Sequence, residues 1–197
     1  MKGGKLMRFK KTLAALLCLC ALAGTSLEGK AAWADEGYSQ NVAKAVRGFL
    51  VKFMTGGAKA FTFDKKQGVF RTTVPGEGET RFLGCLIEVG EEHFRTYIVS
   101  PIGADPKDGA KMAAMAEFIC RANYGLYNGG FEMDFNDGEI RYKSYADCSG
   151  GLTPPEEVIG NSITVGINMC NVFLPGMKDV LFNGVSPKEA VDKIRTE

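Results

Sequence analysis

The chain has 197 residues, with 24 basic and 23 acidic side chains, one histidine and six cysteines. This near-neutral balance and the lack of a basic run argue against a nucleic-acid-binding protein, because such proteins cluster lysine and arginine against phosphates. The single histidine and the absence of a Cys-x-x-Cys pair exclude the common zinc motifs.

The N-terminal segment has the layout of a secretory signal peptide. Residues 1–11 hold five basic residues and no acid, residues 13–23 are apolar, and Ala32-Trp33-Ala34 matches the small-x-small cleavage pattern. The apolar core is shorter than the ~20 residues that span a bilayer comfortably. We expect cleavage after Ala34 and export of residues 35–197 to the periplasm or the cell exterior, with an uncleaved signal anchor as the alternative.

Cleavage changes the composition of the chain. It removes six bases and one acid, which leaves 18 basic and 22 acidic residues and a net charge near −4. The remaining 163 residues suit one domain. The sequence predicts no nucleic-acid partner, no stable membrane insertion after cleavage, and no cationic amphipathic helix of the kind that membrane-surface proteins carry.

Four cysteines lie after the predicted cleavage site: Cys85, Cys120, Cys148 and Cys170. An exported protein can form disulfides, and four cysteines allow three pairings. Cysteines on apolar stripes are also common as buried free thiols, which behave as small hydrophobic residues. Both interpretations remain open from the sequence.

The first half of the mature chain predicts a helix followed by an antiparallel meander. Apolar residues recur at helical spacing from about Ser39 to Met54. Alternating or β-branched segments separated by turn residues then predict strands over residues 58–63, 69–74, 81–89 and 93–100.

The second half predicts a helix, a hairpin and two further helices. Asp105-Pro106 is typical of a helix start, as are Thr153-Pro-Pro-Glu156 and Ser186-Pro-Lys-Glu189. The helix after Thr153 is long and apolar, and Pro175-Gly176 is expected to end it. Because strands and helices are grouped, we predict an α+β fold with an antiparallel sheet packed against helices, in the order α-β-β-β(-β)-α-β-β-α-α.

The segment Phe131–Tyr145 is the clearest structural signal. Asp137-Gly138 between two alternating runs predicts a two-residue hairpin turn. The register that follows puts Met133 opposite Tyr142 and Glu132 opposite Lys143, with apolar side chains on one face and acid–base pairs on the other.

The region from Asp105 to about Asn183 resembles the YbjN family. The resemblance rests on Arg121-Ala-Asn123 at a helix end, Gly130-Phe-Glu-Met-Asp134, and Asp137-Gly-Glu-Ile-Arg-Tyr142, followed by a long apolar helix. It implies a fold similar to type III secretion chaperones and a bacterial protein associated with regulation of sensory transduction. It implies no catalytic residues. The predicted signal peptide and a longer glycine-rich region around residues 58–80 depart from the family pattern.

No constellation of catalytic residues stands out. His93 begins a strand after an acidic turn, which favours a solvated strand-end residue over a general base. The segment Asp134–Tyr145 lacks the spacing and the final glutamate of a calcium loop. We therefore predict a non-enzymatic protein without metal or cofactor.

Tyrosines and cations cluster around the hairpin, and both residue types are enriched at protein interfaces. The candidate binding residues are Tyr124, Tyr127, Arg141, Lys143 and Tyr145. Ordinary strand packing is the alternative explanation. The sequence favours an exported protein-binding or chaperone-like module, as a homodimer or with a protein or peptide partner. The alternative is a small-ligand-binding protein or an enzyme whose site the sequence does not reveal.

Overall fold

The computed structural model describes residues 37–78 and 80–196. Within these residues four helices of ten residues or more accompany six strands. In chain order they are α1 (Gln40–Phe53), β1 (Phe61–Asp64), β2 (Val69–Pro75), β3 (Phe82–Val89), β4 (His93–Val99), α2 (Gly109–Asn123), β5 (Gly130–Met133), β6 (Ile140–Asp147), α3 (Glu156–Lys178) and α4 (Pro187–Thr196). The predicted α+β class and the order of its elements are confirmed.

The six strands form one antiparallel sheet in the order β1-β2-β3-β4-β6-β5. Side chains alternate in burial along the central strands, as in β3, where Leu83, Cys85 and Ile87 are buried. These buried positions face the helices, because alternate side chains of a strand point to opposite faces. Within the described residues no helix covers the other face, so the fold has one helical layer on one side of the sheet.

Helix α3 lies against the middle of the sheet. Ile159, Ile163 and Cys170 are buried on its inner side, and a Cβ at Gly166 would lie 2.4 Å from the side chain of Ile98. The missing side chain at Gly166 therefore allows the helix axis to approach the strand. The segment Glu156–Asn183 is long and apolar enough to cross a membrane, and in the structure one side of it packs against the sheet.

Two of the three predicted helix starts need correction. Asp105 closes a turn through its carboxylate, and the cap of α2 is Asp108, which accepts a hydrogen bond from Lys111 N at 3.1 Å. Helix α3 begins at Glu156 without a side-chain cap, so the capping box predicted at Thr153 does not form. The cap predicted at Ser186 is confirmed, since its hydroxyl accepts a hydrogen bond from Glu189 N at 3.2 Å.

The predicted end of α3 at Pro175-Gly176 is wrong. The helix continues through Pro175 to Lys178 and then widens over Asp179–Asn183. Leu174 and Met177 are buried on either side of this point, and a Cβ at Gly176 would lie within 3 Å of the Phe118 and Ile194 side chains. Close packing against α2 and α4 offsets the hydrogen bond that proline cannot donate.

The predicted hairpin forms with a different register. Met133 pairs with Ile140 and Glu132 with Arg141, so the loop holds the four residues 135–138 instead of two. Asp137 keeps a negative φ, and only Gly138 in this loop has a positive one, +78°. A Cβ at Gly138 would lie 1.8 Å from the Ala104 carbonyl oxygen, so contact with the preceding segment fixes this loop.

The predicted signal peptide lies outside the described residues, so cleavage after Ala34 stays a prediction. Cysteines 85, 120, 148 and 170 are unpaired thiols in the structure, and all but Cys120 are buried. Burial raises the pKa of the Cys85 and Cys170 thiols to about 12. These two thiols occupy core positions, as the interpretation as buried free cysteines anticipated.

Candidate functional site

The structure brings three of the five predicted binding residues to one groove. Tyr127, Lys143 and Tyr145 line an open groove with a volume of about 720 Å³ between the end of β6 and helix α3. Arg141 lies on β6 but outside the groove lining, and Tyr124 caps the end of α2, also outside it. The remaining lining residues are Asn128, Gly129, Gly130, Phe131, Glu132, Ser144, Ala146, Val158, Asn161, Ser162 and Val165.

The groove lies where β6 continues beyond its partner β5. Strand β6 extends to Asp147, whereas β5 begins at Gly130, opposite Lys143. Gly129 turns the incoming chain away with a φ of +138°, and a Cβ there would lie 2.1 Å from the Lys143 carbonyl oxygen. The residues of β6 after Lys143 are therefore paired with β4 alone.

The hydrogen bonds of β6 show which backbone groups face the groove. The carbonyl of Ile140 accepts a bond from Ser100 N on the β4 side, and Cys148 N donates to Glu92 O on that same side. The carbonyl of Glu139, one residue earlier than Ile140, accepts from Asp134 N on the β5 side. Because successive residues of an antiparallel strand alternate in this way, the N–H and C=O groups of Tyr145 point into the groove.

The loop that forms one wall of the groove is held at both ends. The Asn123 carboxamide accepts a hydrogen bond from Phe131 N at 2.7 Å and donates one to Phe131 O at 2.8 Å. Arg195 donates to the carbonyl oxygens of Arg121 and Tyr124 at 2.9 and 2.6 Å. Asn123 thus occupies the outer edge of β5 as a neighbouring strand would, and the open part of β6 is left as the accessible edge on this side of the sheet.

Two of the predicted binding residues, Arg141 and Lys143 of β6, pair with the same carboxylate. Glu132 accepts from Arg141 Nε at 2.6 Å and from Lys143 Nζ at 2.5 Å. Burial acts to raise the pKa of Glu132, but the hydrogen bonds from Lys143 and Arg141 outweigh it and lower the pKa. The Arg141 guanidinium also lies 4.3 Å from the centre of the Tyr97 ring. Arg141 also pairs with Glu139 at 3.7 Å, so two carboxylates balance the two cations and the groove is not a basic site.

His93 has a structural contact that its sequence context did not indicate. It is half-buried, and its ring stacks on Tyr145 with centroids 5.3 Å apart and planes 26° apart. Burial and then the nearby Arg95 lower the pKa of His93, while Glu88 and Asp147 act in the opposite direction. The prediction of a solvated strand-end residue is therefore only partly right, because the ring supports a tyrosine of the groove.

A cluster of hydroxyl groups that sequence reasoning missed reaches the groove through Ser144 and Ser162. Thr96 and Ser162 lie 2.9 Å apart through their hydroxyls, and Ser144 donates to the carbonyl of Ser162 at 3.1 Å. Thr96 and Ser144 are the two buried polar residues of the described core. Their distance along the chain from Ser162 hides this cluster from any local sequence pattern.

No group of three or more metal-ligating side chains occurs within residues 37–78 and 80–196. The groove is lined by backbone groups, aromatic rings, hydroxyl side chains and the ion pair of Glu132 with Lys143. Its hydroxyls are already engaged with each other or with backbone carbonyls. Searches of protein-family models, curated proteins and solved structures find no match to this chain.

Proposed function

We propose that this chain is an exported, non-catalytic protein-binding module that takes an extended segment of a protein or peptide partner in the groove beside β6. The observation that carries the proposal is the pairing of β6, which has a partner strand on both sides only up to Lys143. A peptide that added to the open part would complete the pairing of Tyr145.

The surroundings of the open edge suit such a segment. A strand alternates its side chains between two faces, so every second residue of a bound segment would point toward α3. There it would meet Val158 and Val165, which are partly exposed. The intervening residues would meet Tyr145, which is 62% exposed. The four residues 144–147 leave room for a segment of roughly 13 Å at the usual rise per residue.

The resemblance to the YbjN family supports a chaperone-like, regulatory role for this binding. The motifs that carry this resemblance include Asn123 and Gly130, which together define where β5 begins. The exported location rests on the predicted signal peptide. Mass spectrometry of the protein secreted by a bacterial host tests it directly, because a mature N-terminus at Asp35 is expected and an intact Met1 would contradict export by cleavage.

The binding proposal is tested with peptides selected from a random library displayed on phage. Peptides that bind the parent protein are synthesised, and their affinities for two variants are compared. Tyr127→Ala removes a groove ring that is 97% exposed, and Tyr124→Ala removes a ring that is 82% exposed outside the groove. We expect at least about a tenfold loss of affinity for the first and less than about a twofold loss for the second.

Amide exchange in the complex decides whether the backbone takes part. Strand addition predicts that the Tyr145 amide exchanges quickly in the free protein and slowly when peptide is bound. A bound peptide that leaves the Tyr145 amide unprotected would show that the groove is not used for strand pairing. Equal losses for the Tyr127 and Tyr124 variants would contradict the groove as the binding site.

A small-ligand receptor is the second candidate. The groove volume of about 720 Å³ lies within the range of small-molecule sites, and Ser144 and Ser162 are among its lining residues. A peptide-free protein that captures a metabolite from extract, and loses it in Ser162→Ala without loss of stability, would favour this second function over peptide binding.

A further inference from the structure

Charge is divided unevenly along this chain. Residues 40–74 contain seven basic residues and one acid, Asp64, whereas residues 75–197 contain 11 basic and 19 acidic residues. The first segment therefore has a net charge of +6 and the second a net charge of −8. The overall balance of the chain conceals this separation.

The fold places the positive charges at one edge of the sheet. Arg47 of α1 lies over the rings of Phe61, Phe63 and Phe70 at 5.1–5.6 Å, which places α1 against β1 and β2. Lys59 lies in the turn between α1 and β1, and the turn between β1 and β2 exposes two further lysines. We call this surface the basic edge, and it comprises Lys44, Arg47, Lys59, Lys65 and Lys66.

The lysines of the basic edge are not neutralised. Within the described part of the chain no acid forms an ion pair with any of its four lysines. By contrast, the nearby Lys52 pairs with Glu156 at 2.6 Å. Asp64 instead accepts hydrogen bonds from the backbone of Lys66 and Gln67, which closes the turn.

Helix α1 also exposes two apolar side chains, one of which, Phe53, has the Lys52 ammonium 4.8 Å from the centre of its ring. Val51 and Phe53 near the end of α1 are 44% and 55% exposed. Helix α1 contains three bases and no acid, so it is cationic and amphipathic although the net charge of the chain suggested no such helix. Its own apolar side, including Val42 and Leu50, is buried in the core, so the helix can rest on a surface without leaving the fold.

We propose that the basic edge docks this protein on an anionic lipid surface. Lysine ammonium groups act as point charges and attract lipid phosphates without a fixed geometry. The guanidinium of Arg47 is already held over three rings, and exposed Val51 and Phe53 offer apolar contact that a nucleic acid backbone does not use. These features favour a lipid surface over nucleic acid.

The proposal has a geometric consequence for the groove. The basic edge belongs to β1, and the groove adjoins β5 and β6 at the opposite end of the strand order. A protein that docked through β1 would keep the groove away from the bilayer, accessible to a partner. Docking and peptide binding are therefore separable properties of the same fold.

The test is flotation of the full chain with lipid vesicles. One set contains phosphatidylcholine with about 30 mole per cent phosphatidylglycerol, and the other contains phosphatidylcholine alone. The docking variant carries Lys44→Gln, Lys59→Gln, Lys65→Gln and Lys66→Gln. The matched control variant loses the same charge at other exposed positions, through Lys107→Gln, Lys111→Gln, Lys188→Gln and Lys193→Gln. All three proteins share the same N-terminal segment, so its contribution to binding is common to them.

We expect the parent to bind the anionic vesicles, with affinity that falls as salt rises. Each lysine near an anionic surface contributes about a fivefold gain, so the docking variant should bind at least about 100-fold more weakly. The control variant should stay within about threefold of the parent. Equal losses in the two variants, or no binding of the parent to anionic vesicles at low salt, would overturn the proposal.

A third variant separates lipid from other polyanions. Phe53→Ser leaves the charge unchanged, and we expect it to weaken vesicle binding severalfold while binding to double-stranded DNA stays unchanged. If the parent binds DNA as tightly as vesicles and Phe53→Ser alters neither, the basic edge is a nucleic-acid surface and the lipid proposal is wrong. Circular dichroism and thermal melts of each variant confirm that exposed substitutions leave the fold intact.

Discussion

Replacement of Asn123 by alanine tests the contact that fixes the beginning of β5. Its carboxamide accepts from Phe131 N and donates to Phe131 O, with distances of 2.7 and 2.8 Å. Phe131 is 4% exposed, so in Asn123→Ala its two backbone groups would lose their partners in a poorly hydrated place. An unsatisfied buried group costs about 1–3 kcal/mol. We expect a loss of about 2–4 kcal/mol in the free energy of unfolding.

Urea denaturation followed by circular dichroism measures this loss, and two further variants make it specific. Asn123→Asp keeps an oxygen for Phe131 N but cannot donate to Phe131 O, so it should lose about half as much as alanine. Asn183→Ala removes one exposed side-chain bond to Asp179 and should change stability by less than about 0.5 kcal/mol. An Asn123→Ala protein as stable as Asn183→Ala would refute the role assigned to Asn123.

Loss of the Asn123 hydrogen bonds should also change the groove. Release of Phe131 allows β5 to fray, and Gly130 is the residue that ends the double pairing of β6. Amide exchange at Gly130 and Glu132 should accelerate in Asn123→Ala while exchange in β3 stays slow. Uniform acceleration across the sheet would mean that the variant weakens the whole fold instead of this edge.

Three further predictions follow from single residues. Gly138→Ala should destabilise the protein by more than about 2 kcal/mol in a thermal melt, because a Cβ would lie 1.8 Å from a backbone carbonyl oxygen; Gly125→Ala, at φ +91° with no atom within 4 Å, should cost only about 1 kcal/mol of backbone strain. The lowered pKa of Glu132 stabilises the folded state above the ordinary pKa of glutamate, and this stabilisation is lost as pH falls through the lowered value. The parent should therefore be more stable than Glu132→Gln at neutral pH, and urea titrations should show the difference shrink in acid. Cys120 should react with iodoacetamide in the native protein, because its side chain is exposed. Cys85 is buried and its pKa is raised to about 12, so it should react only after unfolding. Mass spectrometry without reductant measures the labelling, and a Cys85 that stayed unlabelled in denaturant would contradict the prediction.

Local sequence signals predicted most of the elements. Helical spacing predicted α1, whose bounds in the structure agree with the prediction within a residue. The alternation of Phe131–Tyr145 predicted two paired strands and the correct inner face. The actual register differs from the predicted one by two residues, and a shift of two leaves every side chain on its original face. Of the side chains predicted on the apolar face, only Phe135 is not there, because it lies in the exposed loop.

The errors arose where distant contacts outweigh local preference. Asp137-Gly138 favours a two-residue turn by itself, but Gly138 is held against Ala104, more than 30 residues earlier in the chain. Pro175-Gly176 is typical of a helix end, yet packing of this segment against α2 and α4 keeps the helix intact. A sequence pattern weighs only neighbours along the chain, so it could not include these contacts.

The sequence by itself determined the α+β class, the order of the elements and a tyrosine-rich hairpin as the candidate binding region. It could not separate Tyr127 and Tyr145, which line the groove, from Tyr124, which does not. That separation depends on where β5 begins relative to β6, and the hydrogen bonds of Asn123, at the end of α2, fix that point. The grouping of lysines along one edge likewise exists only after α1 folds against β1 and β2. Pairing partners and surfaces are set by contacts between distant residues, and only the tertiary structure provides those.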